Sequence, residues 1–254
     1  MLSDDTGAPS EVPDQVKRIV SLVPSLTESV AATVPGSLVG ATDWCSHPAD
    51  LDVTRVRGTK NPDLDAIARL RPDVVLANFE ENREPDIQAL REAGIPVWVT
   101  VIRTVDEAFA SLARVFELAC RTSAPPWLDA ARAAWDLPEP AVRASAVVPI
   151  WRRPWMVVGS GTFTGDVLRR LGVDNLYEGH AERYPKIPLP DLVAAAPDLV
   201  VLPDEPYAFS AADGPEAFPG LPCALVSGRL LTWYGPSLAV APALLGEALG
   251  RTAA

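Results

Sequence analysis

The 254-residue sequence predicts an α/β fold, with two lobes that each contain a mainly parallel sheet and are joined by a long helix. Three observations lead to this prediction. Apolar strand-like segments alternate with helical ones, which is typical of a parallel sheet covered on both faces. A unit made of a helix, a Pro-Asp pair and an apolar strand occurs twice. A long segment with helical periodicity separates the two halves of the chain.

Composition limits the classes of function. The content of 48% hydrophobic and 22% charged residues is ordinary for a soluble globular protein. The net charge of -11 argues against a surface that binds nucleic acid or an anionic membrane. No apolar segment approaches the length of a membrane span, so membrane insertion is not expected. The three cysteines are far apart and form no CxxC pair, which fits neither a disulfide framework nor a zinc site.

Residues 1–16 are acidic and rich in Pro and Ser, and are predicted to form a flexible tail. They lack the basic and apolar regions of a secretory signal. As written, the protein is expected in the cytoplasm, or outside it if a native export signal is missing from this sequence.

The first lobe is predicted over residues 17–103. Ser25 and Glu28 have capping-box spacing at the start of its first helix, and Gly94 is placed to end its last one. The predicted elements are a strand at 18–23, a helix at 24–34, a strand at 36–42, a helix at 61–70, a strand at 72–78, a helix at 84–94 and a strand at 95–101.

Residues 104–140 are predicted to form a helical connector. The apolar positions of its first helix fall at helical spacing, namely Val105, Phe109, Leu112, Val115, Phe116 and Ala119. A second helix bounded by prolines follows at 125–140. Such a link is stiff, since a flexible hinge would be rich in Gly and Ser.

The second lobe is predicted over residues 141–254. Its first elements are strands at 146–151 and 155–159, a helix at 166–172 and a short segment at 173–178. "LPDLVAAAPDLVVL" then repeats the pattern of "LDAIARLRPDVVL" in the first lobe. Two lobes of this kind form a cleft, and ligands of such folds bind at the carboxyl ends of the strands. The loops that follow the strands are therefore the expected ligand-binding segments.

Four stretches carry a resemblance to a known family: "RIVSLVPSLTE", "VGATDWCSHPADL", "VRGTKNPDLDAIARLRPDVVLANFEENREPDIQALREAGIPVWV" and "LPDLVAAAPDLVVLPDEPYAF". On these residues the chain resembles the helical-backbone (class III) solute-binding proteins of ABC importers, of the cobalamin- and iron-siderophore-binding type. The resemblance covers roughly residues 17–250, and the Pro-Asp-strand unit followed by "LREAGIPV" is its most specific part.

The resemblance implies two Rossmann-like lobes bridged by one long helix, and a corrinoid-like or metal-chelate ligand captured in the cleft. It also implies docking to an ABC permease through one acidic residue on each lobe. Glu84 matches the first such position, and Glu205 is the candidate for the second, with Glu216 as its rival. We expect a monomer that requires no cofactor, with a corrinoid or ferric chelate as its ligand.

Aromatic side chains in the expected cleft loops are the main candidates for ligand binding, because they offer large rigid surfaces to a planar ligand. Core packing is the alternative role for each of them taken singly. The group consists of Trp44, Trp151, Trp155, Trp233, Tyr184, Tyr207 and Tyr234.

Polar candidates come from the same loops. In "ANFEEN", adjacent carboxylates point in different directions, so a catalytic pair at Glu80 and Glu81 is not expected. Glu81 or Asn82 is instead expected to face the ligand, the alternative being a solvated loop. His47 is a candidate metal ligand, although Cys-x-His alone lacks the further ligands of a zinc site. The remaining expected ligand contacts are Ser25, Leu26, Cys45, Asn61 and Thr162.

Three other functions are weaker alternatives. The first is a cytoplasmic corrinoid or metal-chelate carrier without a permease. The second is a metal-dependent enzyme that uses Glu80, Glu81, Cys45 and His47. The third is a nucleotide-binding enzyme, but Thr164 replaces the last glycine of G-x-G-x-x-G in "GSGTFTG". No G-x-S-x-G motif is present, so no catalytic residue is predicted.

Overall fold

The computed structural model describes residues 2–138 and 140–250. Met1 of the predicted tail, Glu139 of the predicted connector and residues 251–254 of the predicted second lobe lie outside the described residues. The chain divides into two units. Unit 1 comprises Met1–Val101, Glu107–Asp129 and Tyr234–Pro236, and unit 2 comprises Ile102–Asp106, Ala130–Trp233 and Ser237–Ala254.

The elements alternate between strand and helix, as the apolar pattern predicts. The strands are β1 (Leu2–Ser3), β2 (Pro9–Ser10), β3 (Ile19–Ser21), β4 (Leu38–Ala41), β5 (Thr54–Arg55), β6 (Arg57–Gly58), β7 (Asn61–Pro62), β8 (Val74–Asn78), β9 (Val97–Thr100), β10 (Ala144–Val147), β11 (Pro149–Arg152), β12 (Trp155–Val157), β13 (Val173–Asn175), β14 (Leu199–Pro203) and β15 (Cys223–Val226). The α-helices are α1 (Pro24–Thr33), α2 (Leu64–Leu70), α3 (Glu84–Glu92), α4 (Val105–Arg114), α5 (Pro126–Trp135), α6 (Phe163–Arg170), α7 (Leu189–Ala194), α8 (Gly228–Thr232) and α9 (Ala241–Gly250).

Each unit contains a parallel sheet, and the two sheets have the same topology apart from the additional edge strand β5 in unit 1. Unit 1 has the order β5-β4-β3-β8-β9, and unit 2 has the order β13-β10-β14-β15. In both sheets the first strand is central, the next pairs on one side of it, and the repeated Pro-Asp unit supplies the strand on its other side. The predicted α/β class with parallel sheets is confirmed.

The Pro-Asp repeat performs the same structural task in both units. The residue before each proline, Arg71 or Ala196, has a left-handed backbone with a φ of 46° or 47°, so the helix ends there. The aspartate that follows then accepts backbone hydrogen bonds at the central strand. Asp73 Oδ2 accepts from Lys17 N and Arg18 N at 2.8 and 2.9 Å, and Asp198 Oδ2 accepts from Ser145 N at 2.8 Å.

Each unit has a hydrophobic core that is built around its parallel sheet. The five residues of β8 and the five of β14 are all buried, as expected for strands covered on both faces. In unit 1, β-branched and leucine side chains of the sheet pack against α2 and α3 in one core. In unit 2, the corresponding core includes Leu192 of α7 together with Phe209 and Phe218.

Several local predictions are wrong. Ser25 does not cap α1, because Pro24 already occupies the first turn and Val23 is the N-cap, so no capping box forms. Helix α2 begins at Leu64 rather than at Asn61, because Asp63 caps it by accepting from Ala66 N at 2.9 Å. The predicted strand at 155–159 pairs antiparallel with β11 instead of joining the parallel sheet.

The N-terminal segment is not the flexible tail that its composition predicts. β1 and β2 form a hairpin, and Asp4 is buried. Asp4 Oδ2 accepts from Arg91 Nη2 at 2.8 Å and from Val99 N at 3.2 Å, while Asp5 N donates to Val99 O at 3.1 Å. These bonds anchor the segment along β9, the edge strand of the sheet of unit 1.

The predicted connector contains α4, five residues of π-helix at Val115–Ala119, and α5. The apolar residues predicted to line one face of its first helix are all buried. The boundaries of the predicted lobes and connector stay predictions.

Candidate functional site

The loop "ANFEEN" at the end of β8 is held by two asparagines. Asn78 Oδ1 accepts from Glu80 N at 2.9 Å and Glu81 N at 3.3 Å, and Asn82 Oδ1 accepts from Asn78 N at 2.9 Å. Asn82 Nδ2 donates to Leu22 O and Thr59 O. Asn82 is therefore a buried residue, 4% exposed, that holds the loop, and its predicted role in facing the ligand stays a prediction.

The loop after β4 separates Trp44 from Cys45. The Trp44 side chain is 68% exposed, whereas Cys45 is fully buried. Thr27 Oγ1 donates to Cys45 Sγ at 3.0 Å, and Thr42 Oγ1 lies 3.1 Å from the same sulfur. Burial raises the pKa of the Cys45 thiol, which keeps it protonated. The sulfur of Cys45 therefore belongs to the core, and the predicted ligand-binding role of Cys45 stays a prediction.

His47 is half-buried, and its Nδ1 lies 3.1 Å from Ser46 Oγ. Across residues 2–138 and 140–250, no three His, Cys, Asp or Glu side chains are grouped so that they could hold a metal ion. The role of His47 as a metal ligand stays a prediction.

The β6–β7 hairpin contacts both the loop that carries Trp44 and the loop that carries Glu80 and Glu81. A Cβ at Gly58 would lie 3.3 Å from Trp44 Nε1, so the indole packs against the hairpin backbone, and Asn61 Oδ1 contacts the same point. Lys60 Nζ donates to Glu80 O. The hairpin thus joins three predicted site positions, which are Trp44, Asn61 and the loop that carries Glu81.

Phe79 belongs to this surface and was missed by the sequence predictions. It is the first residue after β8 and is 54% exposed, although the five residues before it are buried. An aromatic side chain directly after a buried strand was the signal that could have identified it. Trp44 and Phe79 are therefore exposed aromatic residues on two loops that contact one hairpin.

Ser25, Leu26 and Tyr234 lie on α1 or beside it, and all three are buried. The segment Tyr234–Pro236 belongs to unit 1 and packs on α1 through Gly235. A Cβ at Gly235 would lie 2.8 Å from Ser29 Oγ and 3.2 Å from Ser25 O, so a larger residue would displace the segment. The structure brings Ser25 close to Gly235, the residue that follows Tyr234.

In unit 2, an aromatic cluster lies between the β11–β12 hairpin and the loop after β14. Trp155 stacks on Phe209 at 6.1 Å between ring centroids and meets Phe218 edge-on at 5.3 Å. Tyr207 lies 4.6 Å from Phe209 and 5.7 Å from Trp151. Trp155 and Tyr207 pack against the core, whereas Trp151 is 43% exposed.

Thr162 caps α6 and is buried, with its Oγ1 accepting from Gly165 N at 3.1 Å. Its predicted contact with the ligand stays a prediction. Gly161 N donates to Glu178 Oε1, and Gly161 O accepts from Arg183 Nη2, so the loop backbone is also engaged. Tyr184 is half-buried in the segment that packs on Gly159.

The candidate docking carboxylates differ in their environments. Glu84 is the first residue of α3 and is exposed. Glu205 is half-buried, and its Oε2 accepts from Nε1 of the buried Trp233 at 3.1 Å. Glu216 accepts from Gly214 N at 2.6 Å and pairs with Arg152. The Gly214 N–H and the Arg152 guanidinium hold the pKa of Glu216 below its usual value.

The chain has clear relatives of known fold. The family model "Periplasmic binding protein" matches residues 19–124. A vitamin B12-binding protein of Vibrio parahaemolyticus is 21% identical over 199 residues, covering 74% of this chain and 70% of that protein. The predicted resemblance to the periplasmic binding proteins is confirmed.

Solved structures show the same fold. A periplasmic haem-binding protein from Pseudomonas aeruginosa has a TM-score of 0.73 and 23% identity, and covers 94% of this chain and 95% of its own. The molybdate periplasmic binding protein of Haemophilus influenzae has a TM-score of 0.78 and 15% identity, and covers 98% and 90%. The predicted fold of two α/β lobes is confirmed. All these relatives are binding proteins, and their names include three different ligands.

Within residues 2–138 and 140–250, no helix is both long and apolar enough to cross a membrane.

Proposed function

We propose that the protein is the ligand-binding component of an ABC-type uptake system and captures a corrinoid-like or metal-chelate ligand. The observation that carries the ligand class is the exposed aromatic pair of unit 1, Trp44 and Phe79. Large exposed aromatic side chains in strand-end loops suit a flat, partly apolar ligand. The similarity to vitamin B12- and haem-binding proteins supports the same class.

The two aromatic residues sit on loops that are held by hydrogen bonds and packing within unit 1. Asn78 and Asn82 hold the Phe79 loop through hydrogen bonds, and the Gly58 backbone supports the Trp44 ring. A preformed surface lowers the entropic cost of binding, because the loops need no ordering when ligand arrives. Delivery to a permease completes the proposal, with the exposed Glu84 as a docking residue.

The test begins with a thermal-shift screen of the purified chain against cobalamins, cobinamide, haemin and ferric siderophores. We expect one of these classes to raise the melting temperature, because a ligand that binds only the folded state stabilises it by mass action. Calorimetric titration then gives the affinity and stoichiometry. Failure of all these compounds to bind at millimolar concentration would exclude the proposed ligand class.

Variants then locate the site. Trp44→Ala and Phe79→Ala should each weaken binding by about tenfold or more, as expected for buried aromatic anchors in a complex. Val142→Ala is the matched control, because Val142 is an exposed apolar residue outside the candidate loops, just before β10. Equal affinities for all three variants and the parent chain would place the ligand elsewhere.

A further inference from the structure

Arg152 links the two segments that form the aromatic cluster of unit 2. It is the last residue of β11, and only 17% of its side chain is exposed. Its guanidinium pairs with Asp213 and Glu216, both on the loop that follows β14. The same guanidinium lies 5.5 Å from the centre of the Trp155 ring, on the opposite strand of the hairpin. One side chain thus joins hairpin and loop.

The loop itself is closed by hydrogen bonds that converge on Asp213. Tyr207 Oη donates to Asp213 Oδ2 at 2.7 Å. The backbones of Ser210 and Asp213 pair with each other, at 3.0 and 3.2 Å. Glu216 also accepts from Gly214 N, so both carboxylates are fixed on the loop side as well as by Arg152.

This network determines where two aromatic rings lie. Tyr207 is held at its hydroxyl by Asp213, and its ring meets Trp151 edge-on at an interplanar angle of 82°. Trp151 is the neighbour of Arg152 on β11, so its own backbone position depends on the strand that Arg152 fixes. The ring of Trp151 remains 43% exposed and is available for contact with a ligand.

Electrostatics argues against direct binding of a ligand anion by Arg152. Its single positive charge already faces two carboxylates, so the cluster carries a net charge of about -1 when both are ionised. Binding of a further anion would have to displace one of these carboxylates. The arginine therefore fits a supporting role better than a ligand-contacting one.

We infer that Arg152, through Asp213 and Glu216, is a positioning residue that holds Trp151 and Tyr207 as a ligand-contacting surface of unit 2. The inference rests on the proposed function, since it assigns the same kind of ligand to this surface. In this inference Trp151 contacts the ligand, and Arg152 holds Trp151 in position without contacting the ligand.

The chain offers a matched pair of variants for the test. Arg152→Met removes the charge and keeps an apolar stem beside Trp155, whereas Arg153→Met makes the same change at the exposed neighbour. Tyr207→Phe keeps the ring against Trp151 and removes only the hydrogen bond to Asp213. Arg152→Lys retains the positive charge but lacks the planar guanidinium that can pair with two carboxylates.

Two readouts are needed. Fluorine NMR of the ligand-free protein labelled with 5-fluorotryptophan reports the environments of the Trp151 and Trp155 rings, whose signals are assigned with Trp151→Phe and Trp155→Phe. We expect Arg152→Met to shift or broaden the Trp151 and Trp155 signals, Tyr207→Phe to shift that of Trp151 less, and Arg153→Met to leave both unchanged. Calorimetry with cyanocobalamin and haemin should show about tenfold weaker binding for Arg152→Met, partial recovery in Arg152→Lys and parent affinity for Arg153→Met.

The outcomes separate this inference from the proposed function. If the parent chain binds a probe and Arg152→Met binds it equally well, the positioning role is wrong while the proposed function stands. An unchanged Trp151 signal in Arg152→Met contradicts the role as well. If the parent chain binds neither cyanocobalamin, haemin nor the ferric siderophores, the proposed function fails and the role toward a ligand fails with it. Should Arg152→Met not fold, Tyr207→Phe and Arg152→Lys provide the same comparison.

Discussion

At the scale of single residues, the sequence predicts which residue types occur at the candidate site better than it predicts which of these side chains are exposed. Trp44 and Trp151 are exposed, whereas Trp155 packs into a core and Trp233 is buried, although all four follow apolar segments. Whether each side chain is buried depends on partners far along the chain, such as Phe209 and Phe218 for Trp155. Local sequence does not contain that information, and the burial of Asn82 is hidden for the same reason.

The cysteines yield a prediction at this scale. Burial raises the pKa of Cys120 to about 12 and also raises that of Cys45, so neither forms a reactive thiolate near neutral pH. We expect Ellman's reagent at pH 8 to label at most one thiol, Cys223, in the native protein, and all three in guanidinium chloride. Rapid labelling of two or more thiols in the native protein would contradict the burial of Cys45 or Cys120.

At the scale of elements, the Pro-Asp repeat was predictable because its cause is local. A proline stops the helix, and the next residue, Asp73 or Asp198, is already placed to bind the central strand. The antiparallel β11–β12 hairpin was not predictable in this way. Its strands have the same apolar character as those of the sheet, and what distinguishes it is the antiparallel pairing of Trp151 with Met156 and of Arg152 with Trp155. The anchoring of the N-terminal segment likewise depends on the distant Arg91 and Val99.

That anchoring gives a prediction for the edge of the sheet in unit 1. Asp4→Ala should lower the free energy of unfolding by about 3 kcal/mol, because it leaves Arg91 and the Val99 N–H without their carboxylate. Urea unfolding followed by circular dichroism measures this loss. The control is Asp14→Ala, since the Asp14 side chain is fully exposed. Equal stability of the two variants would show that the segment contributes little.

The same variant tests whether the segment protects the edge. An uncovered edge strand is a template for pairing with another chain. Asp4→Ala should therefore self-associate more than Asp14→Ala in gel filtration at equal concentration. Two monomeric variants would show that β9 is protected by other means.

At the scale of the whole molecule, the class of fold was predictable because two halves repeat one pattern, and their sheets have one topology. The division of the chain was harder to predict. Ile102–Asp106 belongs to unit 2, whereas the next residues, Glu107–Asp129, belong to unit 1. Val105 and Asp106 bond to α6, which follows some 60 residues later, and the local sequence carries no signal for these bonds.

Asp166 on α6 contacts the start of α4. Its Oδ2 accepts from Val105 N, the first N–H of α4, at 2.9 Å, and from Arg170 Nε at 2.9 Å, while Arg170 Nη2 binds Asp106. Burial acts to raise the pKa of Asp166, but the Val105 N–H and the guanidinium groups of Arg169 and Arg170 outweigh it and lower the pKa. The ionised carboxylate therefore holds the start of α4 in unit 2.

The acid stability of the molecule should depend on this carboxylate. Because the pKa of Asp166 is lower in the folded than in the unfolded chain, its contribution is complete above the unfolded value of about 4. It is lost as the pH falls through the lower folded value.

Asp166→Asn should lower the free energy of unfolding by about 1–2 kcal/mol at pH 7, as loss of a helix cap does, and the difference from the parent chain should shrink at pH 3. Urea titrations at both pH values measure this, with Asp174→Asn, an exposed site in the same unit, as the control. A difference that is the same at both pH values would show that the Asp166 charge does not hold α4.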